Sequence, residues 1–200
     1  MKLCFSPTSP YVRKVRACAI TREIDGQIEL VPTDANASLP EFVAINPLSK
    51  VPALITEDGV ALFDSPVICE YLDSVGDALP MFPAHGAARW RALKFQAMGD
   101  GILDASVPRG GEMQNPPDHG RVSWIARQKA AVDRTLDALE ADPPHRTVDI
   151  GSITVACALG YLDFRFAAQP WRPAHPKLAA WFEGFAENPG IARTLPKDGG

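Results

Sequence analysis

Two serine–proline steps in the first third of the chain have the residue types that start a helix and bind an anion there. Ser9-Pro10 and Ser65-Pro66 each put a hydroxyl at a predicted N-cap, followed by a proline at the first helical position. Free backbone N–H groups and the positive end of the helix dipole favour negative charge at such a terminus. One terminus would therefore suit a carboxylate and the other a developing thiolate. The alternative is that both serines only start helices.

Three further residues have the chemistry to recognise other parts of a small anionic peptide. Asp64 would neutralise an ammonium group beside the carboxylate, or else it is an ordinary acid at a strand end. Lys50 offers a cation for a second carboxylate, although most lysines only face solvent. A cis Val51–Pro52 bond would turn the valine N–H and C=O outward to pair with an extended peptide, and a trans bond at a strand start is the alternative.

The elements that must position these residues alternate between strand and helix. Strands are predicted at Lys2–Ser6, Ile28–Val31, Ala53–Thr56 and Ala61–Phe63, and helices at Pro10–Ile24, Leu39–Ile45 and Pro66–Val75. The β-α-β-α-β-β-α order, with a parallel first pair and a hairpin at the end, predicts a small mixed sheet covered by helices.

Linker composition at residues 77–86 separates this domain, residues 1–76, from a second one, residues 87–200. Beyond the linker only helical periodicity is found. Helices are predicted at Ala87–Val107, Arg121–Ala141, Ile153–Phe164 and Pro176–Glu187, with a Gly- and Pro-rich loop at Pro108–Gly120. The predicted fold class is an α/β domain followed by an all-α domain.

Composition narrows the classes of function. The 200 residues are 46% hydrophobic and 22% charged, which is ordinary for a soluble globular protein. A net charge of −4 leaves no basic surface for nucleic acid or an anionic membrane, and no apolar run approaches the ~20 residues that span a bilayer. The N-terminus has no signal-peptide pattern, so we expect a cytoplasmic protein.

Neither the cysteines nor the histidines are spaced for metal binding or redox chemistry. The four cysteines lie in apolar segments without a C-x-x-C pair, and the four histidines form no i, i+4 pair. The cysteines are predicted to be buried, and no metal is expected. The basic run Arg13-Lys14-Val15-Arg16 is predicted to be a solvated or subunit-facing stripe.

Taken together, the motifs resemble the cytosolic glutathione S-transferases. The resemblance rests on Thr8-Ser9-Pro10-Tyr11, on Asn46-Pro47 with Lys50-Val51-Pro52, on Asp64-Ser65 and on the helical segment 156–165. It implies a thioredoxin-like N-terminal domain, an all-α C-terminal domain, a homodimer and glutathione as co-substrate. It also implies roles for single residues. Ser9 would form a hydrogen bond with the glutathione sulfur, Val51 would pair with the cysteinyl unit through its backbone, and Pro52 would be a cis-proline. Lys50 would bind the glycyl carboxylate, and Asp64 and Ser65 would bind the γ-glutamyl end.

A serine at position 9 favours some reactions over others. Its hydroxyl hydrogen would be donated to the thiolate, and lowering a thiol pKa of ~8.5 by about two units makes thiolate the major form near neutral pH. Relatives with cysteine at this position tend to exchange disulfides, which Ser9 cannot do. Conjugation, peroxide reduction or isomerisation is therefore favoured over reductase activity. Conjugation to small hydrophobic electrophiles is the first hypothesis.

The second substrate is expected between the domains, near Tyr11, Ile102, Ser106 and Arg109. Two other functions stay open. An isomerase of the maleylacetoacetate type would need extra cations in that cleft, and only Arg13 and Arg109 qualify. A non-catalytic module that binds RNA polymerase or another protein would not need the glutathione residues.

The start of the helix near residue 150 departs from the family pattern. Ser/Thr-x-x-Asp is usual, whereas this chain has Asp149-Ile150-Gly151-Ser152. Asp149 should still cap the helix. Without an acid at the N3 position, we expect the reciprocal half of the capping box to be lost.

Overall fold

A computed structural model of the chain describes residues 1–75 and 78–196. The chain forms two compact units: Met1–Ala84 together with the segment from Asn188 onward, and His85–Glu187. The boundary predicted at residues 76–77 lies outside the described residues. The domain limits 1–76 and 87–200 stay a prediction, while the contacts within the structure group the segment after Glu187 with the first unit.

The first unit is built on a four-stranded mixed sheet in the order β2-β1-β3-β4. The strands are β1 Lys2–Phe5, β2 Glu29–Pro32, β3 Ala53–Ile55 and β4 Ala61–Leu62. The β1–β2 pair is parallel, whereas β1–β3 and β3–β4 are antiparallel. This confirms the predicted α/β topology. Leu3 and Leu54, which are partners across β1 and β3, are both fully buried.

Helices account for most of the rest of the chain. They are α1 Pro10–Thr21, α2 Pro40–Ile45, α3 Ser65–Ser74, α4 Gly86–Glu112, α5 His119–Ala141, α6 Ile150–Arg165, α7 Pro176–Phe185 and α8 Pro189–Ala192, with short 3₁₀ turns at Asp25–Gln27, Ala35–Ala37 and Arg172–Ala174. The second unit, α4 to α7, is helical throughout its regular structure, as predicted. No described helix is long and apolar enough to cross a membrane.

The basic run on α1 was predicted to be a solvated or subunit-facing stripe, and solvation is wrong for Arg13 and Lys14. Arg13 is 6% exposed, and Lys14, with 0% exposure, is among the largest fully buried side chains. The guanidinium of Arg13 donates hydrogen bonds to the Thr194 hydroxyl and the Ile191 carbonyl. Because those acceptors lie far away in sequence, the local charge pattern could not indicate that Arg13 is buried.

Within the second unit, α4 and α6 approach each other at two glycines. A Cβ added to Gly151 would lie 2.5 Å from the Ala92 carbonyl oxygen, and one added to Gly99 would lie 2.8 Å from Cγ2 of Thr154. Real Cβ atoms do not approach other atoms that closely. The missing side chains therefore allow the two helix backbones to touch.

The loop predicted from Pro108 onward is wrong, because α4 continues through Pro108 to Glu112. Pro108 is exposed, and the next residue, Arg109, is buried. The Arg109 Cζ atom lies 4.5 Å from the centre of the Phe166 ring, and its Nη2 donates to the Gln169 side chain. These contacts hold the helix beyond the proline, although the proline itself removes one helical hydrogen bond.

The capping box of α6 is complete, contrary to expectation. The Asp149 carboxylate accepts from the Ser152 backbone N–H at 2.8 Å, and the Ser152 hydroxyl accepts from the Asp149 backbone N–H at 2.9 Å. A hydroxyl oxygen can accept this reciprocal bond as a carboxylate does. With Asp at the N-cap and Ser at N3, the reverse of the usual order, the helix therefore keeps both hydrogen bonds.

Asp149→Ala should destabilise the second unit by about 1–2 kcal/mol, the usual cost of losing an N-cap side chain. Chemical denaturation monitored by far-ultraviolet circular dichroism measures this difference. Asp149→Ser, which keeps an N-cap acceptor, is the matched control and should lose little stability. Equal stability of Asp149→Ala and the parent would show that the cap does not support this helix.

All four cysteines are buried, as predicted, and none of them forms a disulfide. Among the described residues, no group of three or more His, Cys, Asp or Glu side chains is arranged to hold a metal ion.

Candidate active site

The sheet register brings the predicted glutathione residues to one end of the sheet. Cys4 on β1 is paired with Ala53 on β3, so the strand end before Ser9 lies beside the residues that precede β3. Leu54 is paired with Leu62 on β4, so β4 ends at the same end of the sheet. The segments containing Ser9, Val51-Pro52 and Asp64-Ser65 therefore leave or enter neighbouring strands at one end.

Ser9 is the N-cap of α1, and Pro10 is the first helical residue. Its Oγ accepts the Val12 backbone N–H at 3.3 Å, which satisfies one of the unpaired donors of the first turn. No described residue accepts the hydroxyl hydrogen of Ser9. The cap therefore uses only the oxygen as acceptor, and the hydrogen is available to an atom outside the protein.

The loop before β3 presents an unpaired backbone. The Val51–Pro52 bond is cis, the isomer that the family resemblance implies. Within residues 1–75 and 78–196, neither the N–H nor the C=O of Val51 has a hydrogen-bond partner. Both groups are therefore available to pair with an extended peptide.

Asn46 organises this loop, a role that the sequence analysis did not assign. Its side chain is 1% exposed, accepts the Leu48 N–H at 3.0 Å and donates to the Lys50 carbonyl at 2.7 Å. An asparagine bonded to the backbone two residues later is a common turn. The Asn46-Pro47 step was a local signal for that turn.

The start of α3 differs from the prediction by one residue. Asp64, not Ser65, is the N-cap, and neither side chain caps the helix. Asp64 is exposed and Ser65 is 2% exposed. Neither the Asp64 carboxylate nor the Ser65 hydroxyl bonds to any described residue. Capping therefore does not explain this pair, and both groups are free to bind a ligand.

Lys50 lies in the same loop as Val51 and is exposed. Its carbonyl accepts from Asn46, which holds its backbone, while no described group pairs with its ammonium. An exposed ammonium with no described partner suits a carboxylate.

The residues predicted to line a second-substrate cleft lie in both units. Ile102, Ser106 and Arg109 are buried on α4, and Tyr11 is half-buried on α1. The Ser106 hydroxyl has no hydrogen-bond partner in the described part of the chain. Burial lowers the pKa of Arg109, partly offset by the charge of Asp133. The assignment of these residues to a cleft stays a prediction.

The two cations that a keto-acid isomerase would need are engaged by protein groups. Arg13 bonds the Ile191 carbonyl, and Arg109 bonds Gln169 and lies over the Phe166 ring. Both side chains are buried. The structure therefore offers no specific support for that alternative.

Comparison with known proteins decides the family. The model for the N-terminal domain of glutathione S-transferases matches residues 8–75, and the model for their C-terminal domain matches residues 123–184. The chain is also 36% identical to the uncharacterized GST-like protein YibF of Escherichia coli K12, across 98% of each chain. The chain belongs to the glutathione S-transferase family.

Solved glutathione S-transferase structures support the same conclusion. A glutathione transferase family member from Pseudomonas fluorescens Pf-5, crystallised with bound glutathione, is 38% identical with a TM-score of 0.91 across 98% of each chain. A second structure from the same organism, with bound S-(propanoic acid)-glutathione, is 38% identical with a TM-score of 0.87 and covers 98% of this chain and 99% of that one. The predicted fold is confirmed.

Proposed function

We propose that this glutathione S-transferase uses Ser9 to stabilise the glutathione thiolate for attack on small hydrophobic electrophiles. The observation that carries the proposal is the state of the Ser9 hydroxyl. Its oxygen accepts the Val12 N–H, and its hydrogen has no acceptor among the described residues. A sulfur placed at this helix start would receive that hydrogen bond together with the positive end of α1.

The other unpaired groups at this end of the sheet match the rest of the tripeptide. The free N–H and C=O of Val51 suit the cysteinyl backbone, as in the addition of a strand to a sheet. Asp64 and Ser65 suit the γ-glutamyl ammonium and carboxylate, and Lys50 suits the glycyl carboxylate. Each group is complementary to its proposed partner in charge or in hydrogen bonding.

The relatives support conjugation as the reaction. The Pseudomonas fluorescens protein holds glutathione in one structure and a glutathione substituted on sulfur in the other. In conjugation the thiolate electron pair forms a carbon–sulfur bond, and the electrophile loses its leaving group or accepts a proton. The protein needs only to bind and stabilise the anion, which Ser9 and the start of α1 can do.

Two measurements test this function. Calorimetry with reduced glutathione should detect binding at millimolar concentration or below, and a chlorinated nitroaromatic should yield conjugate at a rate above that without protein. S-methylglutathione is the control: it should bind without reacting, because its sulfur has no proton to lose. Absence of any glutathione binding would overturn the proposal and favour a protein-binding module.

The proposal extends to a homodimer. Trp90 on α4 is 68% exposed, and tryptophan is one of the residue types enriched at protein–protein interfaces. Sedimentation at micromolar concentration would distinguish monomer from dimer. A cytoplasmic location and a role in detoxification stay predictions.

A further inference from the structure

The segment of residues 188–196, here called the C-terminal segment, lies directly against α1. A Cβ added to Gly190 in this segment would lie 2.6 Å from the Ala17 carbonyl oxygen and 2.9 Å from the Thr21 hydroxyl. The two backbones therefore meet without an intervening side chain. The segment packs on the helix that begins at Ser9.

Arg13 joins the C-terminal segment to α1 through its side chain. Its Nε donates to the Thr194 hydroxyl at 3.4 Å, and its Nη2 donates to the Ile191 carbonyl at 3.3 Å. The Thr194 hydroxyl donates its own hydrogen to the Gly190 carbonyl at 2.6 Å. Thr194 is buried as well, so these bonds are shielded from water.

The backbone of Arg13 holds Ser9. Its N–H donates to the Ser9 carbonyl at 3.0 Å, the hydrogen bond that closes the first turn of α1. A single residue therefore contacts the C-terminal segment with its side chain and the Ser9 peptide with its main chain.

Among residues 1–75 and 78–196, Arg13 has no counterion. Its hydrogen-bond acceptors there are neutral oxygens. Its Nη1 is buried and has no hydrogen-bond partner among the same residues. A buried cation without a counterion is unfavourable, and an anion nearby would relieve that cost. A thiolate bound at Ser9, one helical turn earlier, would be such an anion.

We propose that the C-terminal segment is part of the thiol-activating apparatus, with Arg13 as a positioning residue that joins the segment to the first turn of α1. The inference rests on the proposed function. Thr194 supplies the side-chain acceptor, Ile191 supplies a backbone acceptor, and Gly190 allows the close approach. The segment thereby keeps both the Ser9 hydroxyl and the Arg13 charge in place for the thiolate.

Thr194→Val is the test, because valine has nearly the same shape and lacks the hydroxyl. The pKa of the bound glutathione thiol, measured from thiolate absorbance against pH, should rise by about half a unit to one unit, as a loosened nearby charge would cause. The kcat/KM at pH 7 should fall ~1.5- to 3-fold, since the fraction of thiolate falls by about that factor from a parent pKa of ~6.5. Thr194→Ser keeps the hydroxyl and should retain the thiol pKa of the parent.

Ile24→Val is the control for stability. It removes one buried methylene from the first unit, and it leaves the C-terminal segment unchanged. Its melting temperature should fall while the thiol pKa stays at the parent value. If Thr194→Val lowers only the melting temperature, the segment is purely structural and this inference is overturned.

The parent protein and Ser9→Ala separate the inference from the proposed function. If the parent does not lower the glutathione thiol pKa, both are overturned. If the parent lowers it and Ser9→Ala raises it, while Thr194→Val does not, the proposed function stands and only the role of the C-terminal segment fails.

Discussion

Replacing Ser9 with alanine is expected to lower the kcat/KM for conjugation by about 10- to 100-fold at neutral pH, since losing the donor to the sulfur lowers the ionised fraction of bound glutathione by about that factor. The thiol pKa of bound glutathione should return toward the ~8.5 of a free thiol. The loss should therefore shrink as the pH rises, because glutathione then ionises without help. Rate–pH profiles of the parent and Ser9→Ala measure both effects.

The alanine also removes the N-cap bond to Val12, so its effect on stability needs a control. Asp149→Ala loses a helix cap of the same kind in the second unit. The two variants should lose similar stability, whereas only Ser9→Ala should lose activity. Unchanged kcat/KM in Ser9→Ala would remove Ser9 from the mechanism.

Asp64→Asn is expected to raise the KM for glutathione about 10- to 100-fold with little change in kcat. A hydrogen bond to a charged group contributes roughly 1.5–3 kcal/mol, which corresponds to that range. The amide keeps the size of the carboxylate but cannot neutralise the γ-glutamyl ammonium. Because the ammonium is remote from the sulfur, ground state and transition state should lose equal binding energy.

Glu57→Gln is the matched control for this charge change. Glu57 is also an exposed acid, and it lies in the turn between β3 and β4, so the substitution removes one negative charge from the hairpin that precedes Asp64. Its KM should equal that of the parent. A KM for Asp64→Asn that is no higher than the control value would contradict the γ-glutamyl assignment.

Much of the first unit could be predicted because its signals are local. Ser9-Pro10 indicated the start of α1 correctly, and the alternation of apolar residues indicated each strand of the sheet within a residue or two of its limits. The cis Val51–Pro52 bond followed from the family resemblance. The candidate site could be predicted because its residues lie next to strand ends, and the pattern of apolar residues locates those ends.

The predictions that failed depended on contacts between residues far apart in the sequence, or on two side-chain types that can accept the same hydrogen bond. Pro108 is a strong local stop signal, yet Phe166 and Gln169 hold Arg109 and extend α4. Ser152 completes a capping box that was expected to need an acid. The side-chain partners of Arg13 are far away in the sequence, with Thr194 lying 181 residues later. The residues around Arg13 therefore could not indicate them.

The discontinuous first unit has a consequence for the order of folding during synthesis. Arg13 and Thr194 are 181 residues apart, so the ribosome must produce the whole second unit before the guanidinium meets its acceptors. At ~5–20 residues per second, that delay is roughly 10–40 s. A nascent chain stalled before Asn188 would carry a complete sheet and an unanchored first helix. Such a chain should bind glutathione more weakly than the finished polypeptide.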